Sequence, residues 1–412
     1  MVLAAGEGKR LRPLTYTRPK CMIPLGGKPI LEHVLLTVKE AGIKEAIIVV
    51  KYMEEKIRGY FGDGSRLGMK IRYVRQGEVY GTGAAFMCAR DYVDDDFLGI
   101  AGDIITEARA VRRVVEEDNA EVVMALKEVD DREQFGIAEL KGERVVKFVE
   151  KPPGHLPGLA NCSIYRMGIG IFDVLEKCGR STRNEVEITD AIKKLVLKRE
   201  VKGIVLKKGE YWLDMGMPWQ IFNANEFILN RMKEKKGEIE NSVVKGKVIM
   251  GKGARIYSSY IEGPLYVGDG TEIGPHAYIR GATSIGKNCA IGDSTTIKNS
   301  ILLDDVKAKH LTYIGDSIIG EGCNFGASTQ IANYRFDGGY VKTDVNGKVV
   351  VSDRRKFGTV IGDFTKTGVL SCVMPGKTIG DNCWIGAGVV IDRPIGRNMK
   401  VFLQQKLKIM KR

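Results

Sequence analysis

Paired cysteines are missing from this chain. Its eight cysteines stand singly, at Cys21, Cys88, Cys162, Cys178, Cys289, Cys323, Cys372 and Cys383, and no C-x-x-C forms. That spacing argues against a zinc site and for reduced thiols in a cytoplasmic protein. No apolar run comes near the about 20 residues that span a bilayer, and no charged-then-apolar leader precedes VLAAG, so neither a membrane segment nor a secretory signal is expected. Histidine is scarce, with four in 412 residues. The formal net charge is +13, yet the basic residues are spread out, with only short runs such as KEKK and DRRK. No helix-turn-helix, RNA-recognition or zinc-finger pattern accompanies them, so nucleic acid is not an expected partner. Small anionic substrates and a solvated surface account for the charge better.

What the chain has in quantity is glycine, 50 residues in all, denser in the second half than in the first. From residue 267 an aliphatic residue recurs every six positions: Val267, Ile273, Ile279, Ile285, Ile291 and Ile297. Four of them precede a glycine (Gly268, Gly274, Gly286, Gly292), and a second register runs Ile361, Thr367, Val373, Ile379, Ile385, Ile391. Six is neither the helical period nor the simple strand period. It is the spacing of short parallel strands joined by turns and wound as a three-sided β-helix, with one aliphatic side chain pointing inward on each side. This reading covers about 241–400 and implies a β-helix domain over 241–412.

The first half differs. Apolar strands at 46–50 and 121–126 alternate with helical patterns at 30–41 and 108–117, a βαβ rhythm that predicts a largely parallel, Rossmann-like α/β sheet with helices on both faces. That domain should span 1–228, and the charged, helix-prone stretch 224–240 supplies a helical linker at 229–240. VLAAG is then the first strand, short or lying at an edge, and GEGKRLRPLT is the loop at its carboxyl end. Ligands of doubly wound sheets sit at that edge; glycine lets backbone N–H groups approach a phosphate, and arginine neutralises it with paired donors.

Extended by Pro19-Lys20 and by Pro24-Leu25 ahead of GKPIL, this loop resembles the signature of the sugar-1-phosphate nucleotidyltransferases. The resemblance implies nucleotide contacts from Leu3, Ala4, Gly6 and Gly8, with Arg10 gripping the triphosphate and Lys20 holding the sugar phosphate. VRQGEVYGTGAA looks like that family's base-recognition loop, with Gln76 reading the base edge and Gly81 and Thr82 behind it. Asp103 in IAGDIIT and Asp214 in WLDMGMP match its Mg²⁺ carboxylates, and Gly136, Glu150 and Asn161 match its sugar-holding positions. Their joint order along the chain carries the match. The implied chemistry is in-line attack of a sugar-1-phosphate oxygen on the α-phosphorus of UTP or dTTP, with pyrophosphate leaving.

One stretch of the β-helix departs from the bare hexad. KHLTYIGDSIIGEGCNFGASTQIANY sets His310, Tyr313, Asn324, Asn333 and Tyr334 among the repeats. It resembles the acetyltransferase site of the bifunctional glucosamine-1-phosphate acetyltransferase/N-acetylglucosamine-1-phosphate uridylyltransferases. That resemblance implies His310 as general base, Arg280, Lys298, Tyr313, Asn324 and Asn333 on the amino-sugar phosphate, and Ala327, Tyr334 and Ala387 on acetyl-CoA. A histidine suits the task, since an ammonium must lose a proton before it can attack. Residues 335–356 form a connection longer than the bacterial one, similar to the archaeal form of the family, and should lie near the acetyl-transfer site.

The favoured expectation is therefore a cytoplasmic, homotrimeric, bifunctional enzyme that makes UDP-N-acetylglucosamine from a sugar phosphate, a nucleoside triphosphate and acetyl-CoA. The alternatives are a glucose- or mannose-1-phosphate nucleotidyltransferase with a merely structural β-helix, and an inactive scaffold subunit. Arg10, Lys20, Asp103 and Asp214 are all present, which disfavours the inactive form.

Overall fold

The computed structural model describes residues 1–181 and 184–411. Contacts divide them into two units. The first comprises Met1–Glu7, Pro19–Met22 and Pro29–Met215, and the second Gly8–Arg18, Ile23–Lys28 and Gly216–Arg412.

The first unit is built on a nine-stranded sheet. Its order from one edge is Lys70–Arg75, Glu45–Val50, Val2–Ala4, Phe97–Ala101, Gly158–Met167, Val122–Val129, Val201–Val205, Arg144–Glu150 and Gly136–Lys141. The first four strands are parallel, as the βαβ rhythm requires. The other side corrects the expectation of a largely parallel sheet. Gly158–Met167 runs antiparallel to both neighbours, and Arg144–Glu150 is antiparallel to Val201–Val205 and to Gly136–Lys141. The reason is connectivity: residues 136–167 hold no helix, and a strand that returns without a crossover must come back reversed. The first strand is indeed short, but it is not at an edge: Val2 pairs with Ile48 on one side and Ile100 on the other.

Alternation within strands sorts side chains to the two faces. Ile48, Val50, Val123 and Ala125 join one core with the helices Ile30–Glu40 and Ala108–Val115. Val49, Val122, Met124 and Leu126 join the other with Thr82–Met87, Ile171–Glu176 and Ile188–Leu197.

The second unit is a left-handed parallel β-helix whose three sides are sheets of nine, eight and seven strands. All twelve residues of the two hexad registers are buried. On one side Val244, Ile261, Ile279, Ile297, Ile314, Ile331, Val373 and Ile391 stack in register. Seven of these eight are fully buried in one core, and Val244 packs against it. Corner hydroxyls stitch one coil to the next: Ser300 Oγ accepts from Ser317 N at 3.1 Å, and Ser317 Oγ from Thr359 N at 3.1 Å. This satisfies backbone donors that the turns would otherwise bury unpaired.

The helix expected within 224–240 runs instead from Pro218 to Arg231. Its inner side packs on the β-helix, where Asn225 donates to Ala282 O at 3.0 Å and accepts from Ser284 Oγ at 2.6 Å. The run KEKKG beyond it has no apolar stripe to bury, and Glu238–Glu240 forms the first strand of its sheet, paired with Arg255–Tyr257. Residues 335–356 leave the coil as an excursion that contains the hairpin Lys342–Val345/Lys348–Val351. At its return, fully buried Phe357 packs against Trp219 and Phe222, Trp219 Nε1 donates to Asp353 at 3.1 Å, and Arg354 donates to Asn223 at 3.0 Å. Among the described residues no helix is long and apolar enough to cross a membrane.

The stacked columns carry the stability of this unit. Ile273→Ala opens a cavity in a column that has no room to collapse, and should cost about 2–5 kcal/mol. Glu272→Ala, on the same strand but facing out, should stay within about 0.5 kcal/mol of the parent. Denaturant unfolding of the full chain, followed through the β-helix transition, compares the two.

Candidate functional site

In the first unit the parallel strands point their carboxyl ends to one edge, and the loops there carry Gly6, Gln76 and Asp103. Gly6 has open space where a Cβ would stand, so nothing in the fold demands glycine there and the backbone is left approachable. Asp103 follows Phe97–Ala101, and Asp214 ends the strand Trp212–Asp214, which pairs antiparallel with Ile104–Thr106. This short ribbon brings together two carboxylates far apart in sequence. Both meet Lys20: its Nζ bonds Asp103 and lies 3.8 Å from Asp214 Oδ1. Two hard-oxygen ligands, partly exposed and converging on one cation, suit a divalent ion that completes its shell with phosphate oxygens and water.

Gln76 is buried, and its amide donates to Val79 O at 3.0 Å and Gly81 O at 3.2 Å. Its nitrogen thus shapes the loop 77–82. Gly81 is demanded twice over. Its φ of +113° lies where side chains are rare, and a Cβ would stand 2.1 Å from Val186 O. Thr82 Oγ1 accepts from Ile188 N at 3.1 Å.

The three residues expected to hold the sugar meet at one sheet end. Gly136 pairs with Glu150, and a Cβ on Gly136 would lie 2.8 Å from that carboxylate. Ala160, beside Asn161, pairs with Ile137, beside Gly136. Asn161 Nδ2 donates to Tyr165 Oη at 2.6 Å. Burial pushes the Tyr165 phenol up to about 12, so it stays neutral and available as an acceptor. Leu3 and Ala4 lie in the first strand beneath this edge.

Gly8 and Arg10 lie in the second unit. Gly8 is left-handed, with φ of 64°, and opens the 3₁₀ turn Lys9–Leu11. Arg10 is exposed at its tip, and its guanidinium borders Gly216, where a Cβ would come within 3.1 Å.

On the β-helix, register does the assembling. Arg280, Lys298 and Gly315 stack on successive coils because Ile279, Ile297 and Ile314 stack inside. Lys298 Nζ donates to Asp316 Oδ2 at 2.7 Å, and Asn333 Nδ2 to the same oxygen at 2.6 Å and to Tyr313 Oη at 3.2 Å. Four of the expected residues therefore share one outer face. His310 stands at the corner before Tyr313, exposed, with Nδ1 3.4 Å from Asp293 Oδ2. Ala327 and Ala387 continue the same corner: Ser328 N donates to His310 O, Leu370 N to Ala327 O, and Gly388 N to Val369 O. Each of these bonds steps one coil, about 4.8 Å, so Ala387 lies three coils from His310. Asn324 is exposed on a different side, on the strand next to Lys307–Ala308. Tyr334 is exposed where the excursion begins, bridged to Lys356.

Sequence reasoning missed Asp316 and Asp293. Asp316 is 1 % exposed and also accepts from Asn299 Nδ2 at 2.8 Å. In the string YIGDS it reads as an ordinary turn aspartate; only its place under Lys298 and Asn333 marks it.

Three family models match along the chain. The nucleotidyl transfer family model, described as "Nucleotidyl transferase", matches residues 1–231. A "GMPPB C-terminal domain" model matches 261–356, and a "Hexapeptide repeat of succinyl-transferase" model matches 358–393. The "Bifunctional protein GlmU" of Methanocaldococcus jannaschii is 44% identical over 99% of this chain and 98% of its own. A "Bifunctional sugar-1-phosphate nucleotidylyltransferase/acetyltransferase" of Sulfurisphaera tokodaii is 37% identical over 96% and 97%. Among solved structures, a Bacillus anthracis protein assigned as a glucose-1-phosphate thymidylyltransferase, crystallised with sucrose, aligns with a TM-score of 0.52 at 26% identity. That alignment covers 57% of this chain and 96% of that one.

The Asp316 cluster makes a spectroscopic prediction. Burial, and next the Asp316 charge, raise the Tyr313 phenol above its ordinary value. An adjacent anion disfavours tyrosinate, so Asp316→Asn should let Tyr313 ionise at lower pH, though burial keeps it above an exposed phenol. Difference titration of tyrosinate absorbance, with Tyr313→Phe identifying the signal, tests this; an unmoved titration would separate the two groups.

Proposed function

The chain belongs to the nucleotidyl transferase family and, along its whole length, to the bifunctional GlmU proteins, and from that membership we propose that it makes UDP-N-acetylglucosamine by two reactions at separate sites. It is a sugar-1-phosphate nucleotidylyltransferase and an acetyltransferase. Its likeness to bifunctional relatives spans both halves, which weighs against a β-helix that only assembles subunits and against an inactive scaffold. The observation that best supports acetyl transfer is the ladder Arg280–Lys298 with Tyr313 and Asn333 beside it and His310 at the adjoining corner.

In the acetyl step, His310 takes a proton from the ammonium of glucosamine-1-phosphate. The freed amine attacks the thioester carbon of acetyl-CoA; as the C–S bond breaks, the CoA thiolate leaves and takes up the second proton of the nitrogen, giving the neutral amide and the CoA thiol. Arg280 and Lys298 hold the phosphate, and Asn333 and Tyr313 orient the sugar. Asp316 fixes Lys298 and Asn333 at one spacing. Ala327, Ala387 and Tyr334 lie toward the coenzyme, and Asn324 completes the sugar contacts. The α/β half then runs uridylyl transfer. The N-acetylglucosamine-1-phosphate oxygen attacks the α-phosphorus of UTP in line, and pyrophosphate leaves. Two anions must meet, so positioning and neutralisation are the whole task. Arg10 and the backbone at Leu3, Ala4, Gly6 and Gly8 hold the triphosphate, and Lys20 leaves its carboxylates to bind the sugar phosphate. Gln76, Gly81 and Thr82 frame the base, and Gly136, Glu150 and Asn161 the sugar. Asp103 and Asp214 would hold Mg²⁺, which when bound supplies the positive charge between the reactants. The enzyme works in the cytoplasm as a homotrimer. Exposed Leu311, Val369, Leu370 and Trp384 on the β-helix offer it apolar area to bury.

Three measurements test this. Replacing Asp103 or Asp214 by Ala should abolish uridylyl transfer and leave acetyl transfer running; undiminished uridylyl transfer in excess EDTA would rule out the metal site. His310→Ala should lose at least about 10²-fold in acetyl transfer with uridylyl transfer and melting temperature unchanged. That defect should shrink as pH rises, because more of the amine is then already neutral. If both activities fall together with stability, His310 is structural. Light scattering should give three chains, and an active monomer would refute the assembly.

A further inference from the structure

The segment Gly8–Arg18 is held in the second unit by a buried ion-pair network at one corner of the β-helix. Arg18 is 7 % exposed and Asp363 is 1 % exposed. The guanidinium grips Asp363 through both nitrogens, at 3.1 and 2.6 Å, and reaches Glu321 Oε2 at 2.9 Å. Thr17 Oγ1 adds a 2.6 Å bond to Asp363 Oδ2. Two coils on, the Arg397 guanidinium lies 4.3 Å over the Tyr16 ring and is itself held by Asp381 at 2.6 and 2.9 Å.

An ordinary corner role does not account for this. Asp269 and Asp304 also stand at that corner, and each accepts the backbone N–H of the coil before, from Lys252 and Lys287, at 2.7 Å. Asp363 Oδ1 does the same for Glu321 N at 2.9 Å. Its second oxygen is what differs: it is committed to Thr17 and Arg18. A charged pair this buried repays its desolvation only with good geometry and further hydrogen bonds, and this one has both.

The clamped limb is tied in turn to the glycine loop. Thr15 Oγ1 donates to Gly8 O at 3.0 Å, and Leu11 N donates to Gly8 O at 2.9 Å. A continuous chain of bonded groups thus runs from Asp363 through Thr17 and Arg18 to the turn that presents Arg10. We infer that Arg18 is a positioning residue for nucleotidyl transfer, acting through Asp363: a β-helix carboxylate sets the conformation of the loop that binds the nucleoside triphosphate. The inference rests on the assignment of that loop to the triphosphate in the proposed function. It implies that the β-helix, besides its own chemistry, is needed for full triphosphate affinity.

Asp363→Asn is the discriminating variant, because its amide oxygen can keep the Glu321 N–H bond while the charge facing Arg18 is lost. In the full-length enzyme it should raise the KM for UTP about tenfold or more, toward the about 10²-fold that a loop misplaced by 1 Å can cost. The KM values for glucosamine-1-phosphate and acetyl-CoA should stay within twofold. Arg18→Lys, which keeps the charge and loses the paired grip, should fall between wild type and Arg18→Met. Amide hydrogen exchange at Leu11 and Tyr16 should quicken in Asp363→Asn. If wild type transfers uridylyl groups while Asp363→Asn leaves the UTP KM and that exchange unchanged, the inference is overturned. It is also overturned if both activities decline in step with melting temperature, since the pair is then only structural. A wild type without uridylyl transfer, whose loop still loosens in the variant, would instead reject the functional assignment of the loop.

Discussion

Everything the second unit does depends on the stacking of its inward side chains. In a β-helix a residue that points in fixes its neighbours as pointing out, so one buried column dictates the outer columns beside it. Ile279, Ile297 and Ile314 lie above one another in the core, and for that reason Arg280, Lys298 and Gly315 lie above one another on the surface. Positions 18 and 17 residues apart in the chain become neighbours one coil apart. The basic ladder, and the glycine that leaves room beside it for Asn333 and Tyr313, follow from hydrophobic register.

The excursion at 335–356 interrupts this stack without disturbing it. Ile331 and Val373 pair as neighbours although 42 residues separate them. The coil closes around the gap because Phe357 N donates to Asn333 O and Gly358 N to Asp316 O, both at 2.9 Å. The long connection is therefore anchored at Asn333 and Asp316, the two residues bonded within the Lys298–Tyr313 cluster. Its packing on the helix Pro218–Arg231, through Phe357, Asp353 and Arg354, gives that cluster a rigid support.

The α/β unit solves a different problem. It collects a lysine and two carboxylates at the carboxyl ends of its parallel strands, the edge at which doubly wound sheets bind their ligands. Lys20, Asp103 and Asp214 come from three separate segments and meet because the ribbon Ile104–Thr106/Trp212–Asp214 closes over that edge. Lys20 neutralises both carboxylates at that edge.

The sequence alone determined what depends on local period and residue type. The hexad marked every buried column, because a side chain every sixth residue is the covalent image of a three-sided coil. The string LAAGEGKRLRPLT offered a candidate phosphate loop, and the rare histidine, His310, a catalytic candidate. The direction of Gly158–Met167, the interior place of Val2–Ala4 and the end of the last helix at Arg231 were not legible, since each depends on what pairs or packs with it across the fold. Asp316 and Asp363 were hidden for the same reason. Each looks like any turn aspartate until the third dimension brings Lys298 and Asn333 to one, and Arg18 to the other. Period is written along the chain, whereas the partner of a buried charge is set by distance in space, and only the tertiary structure decides that distance.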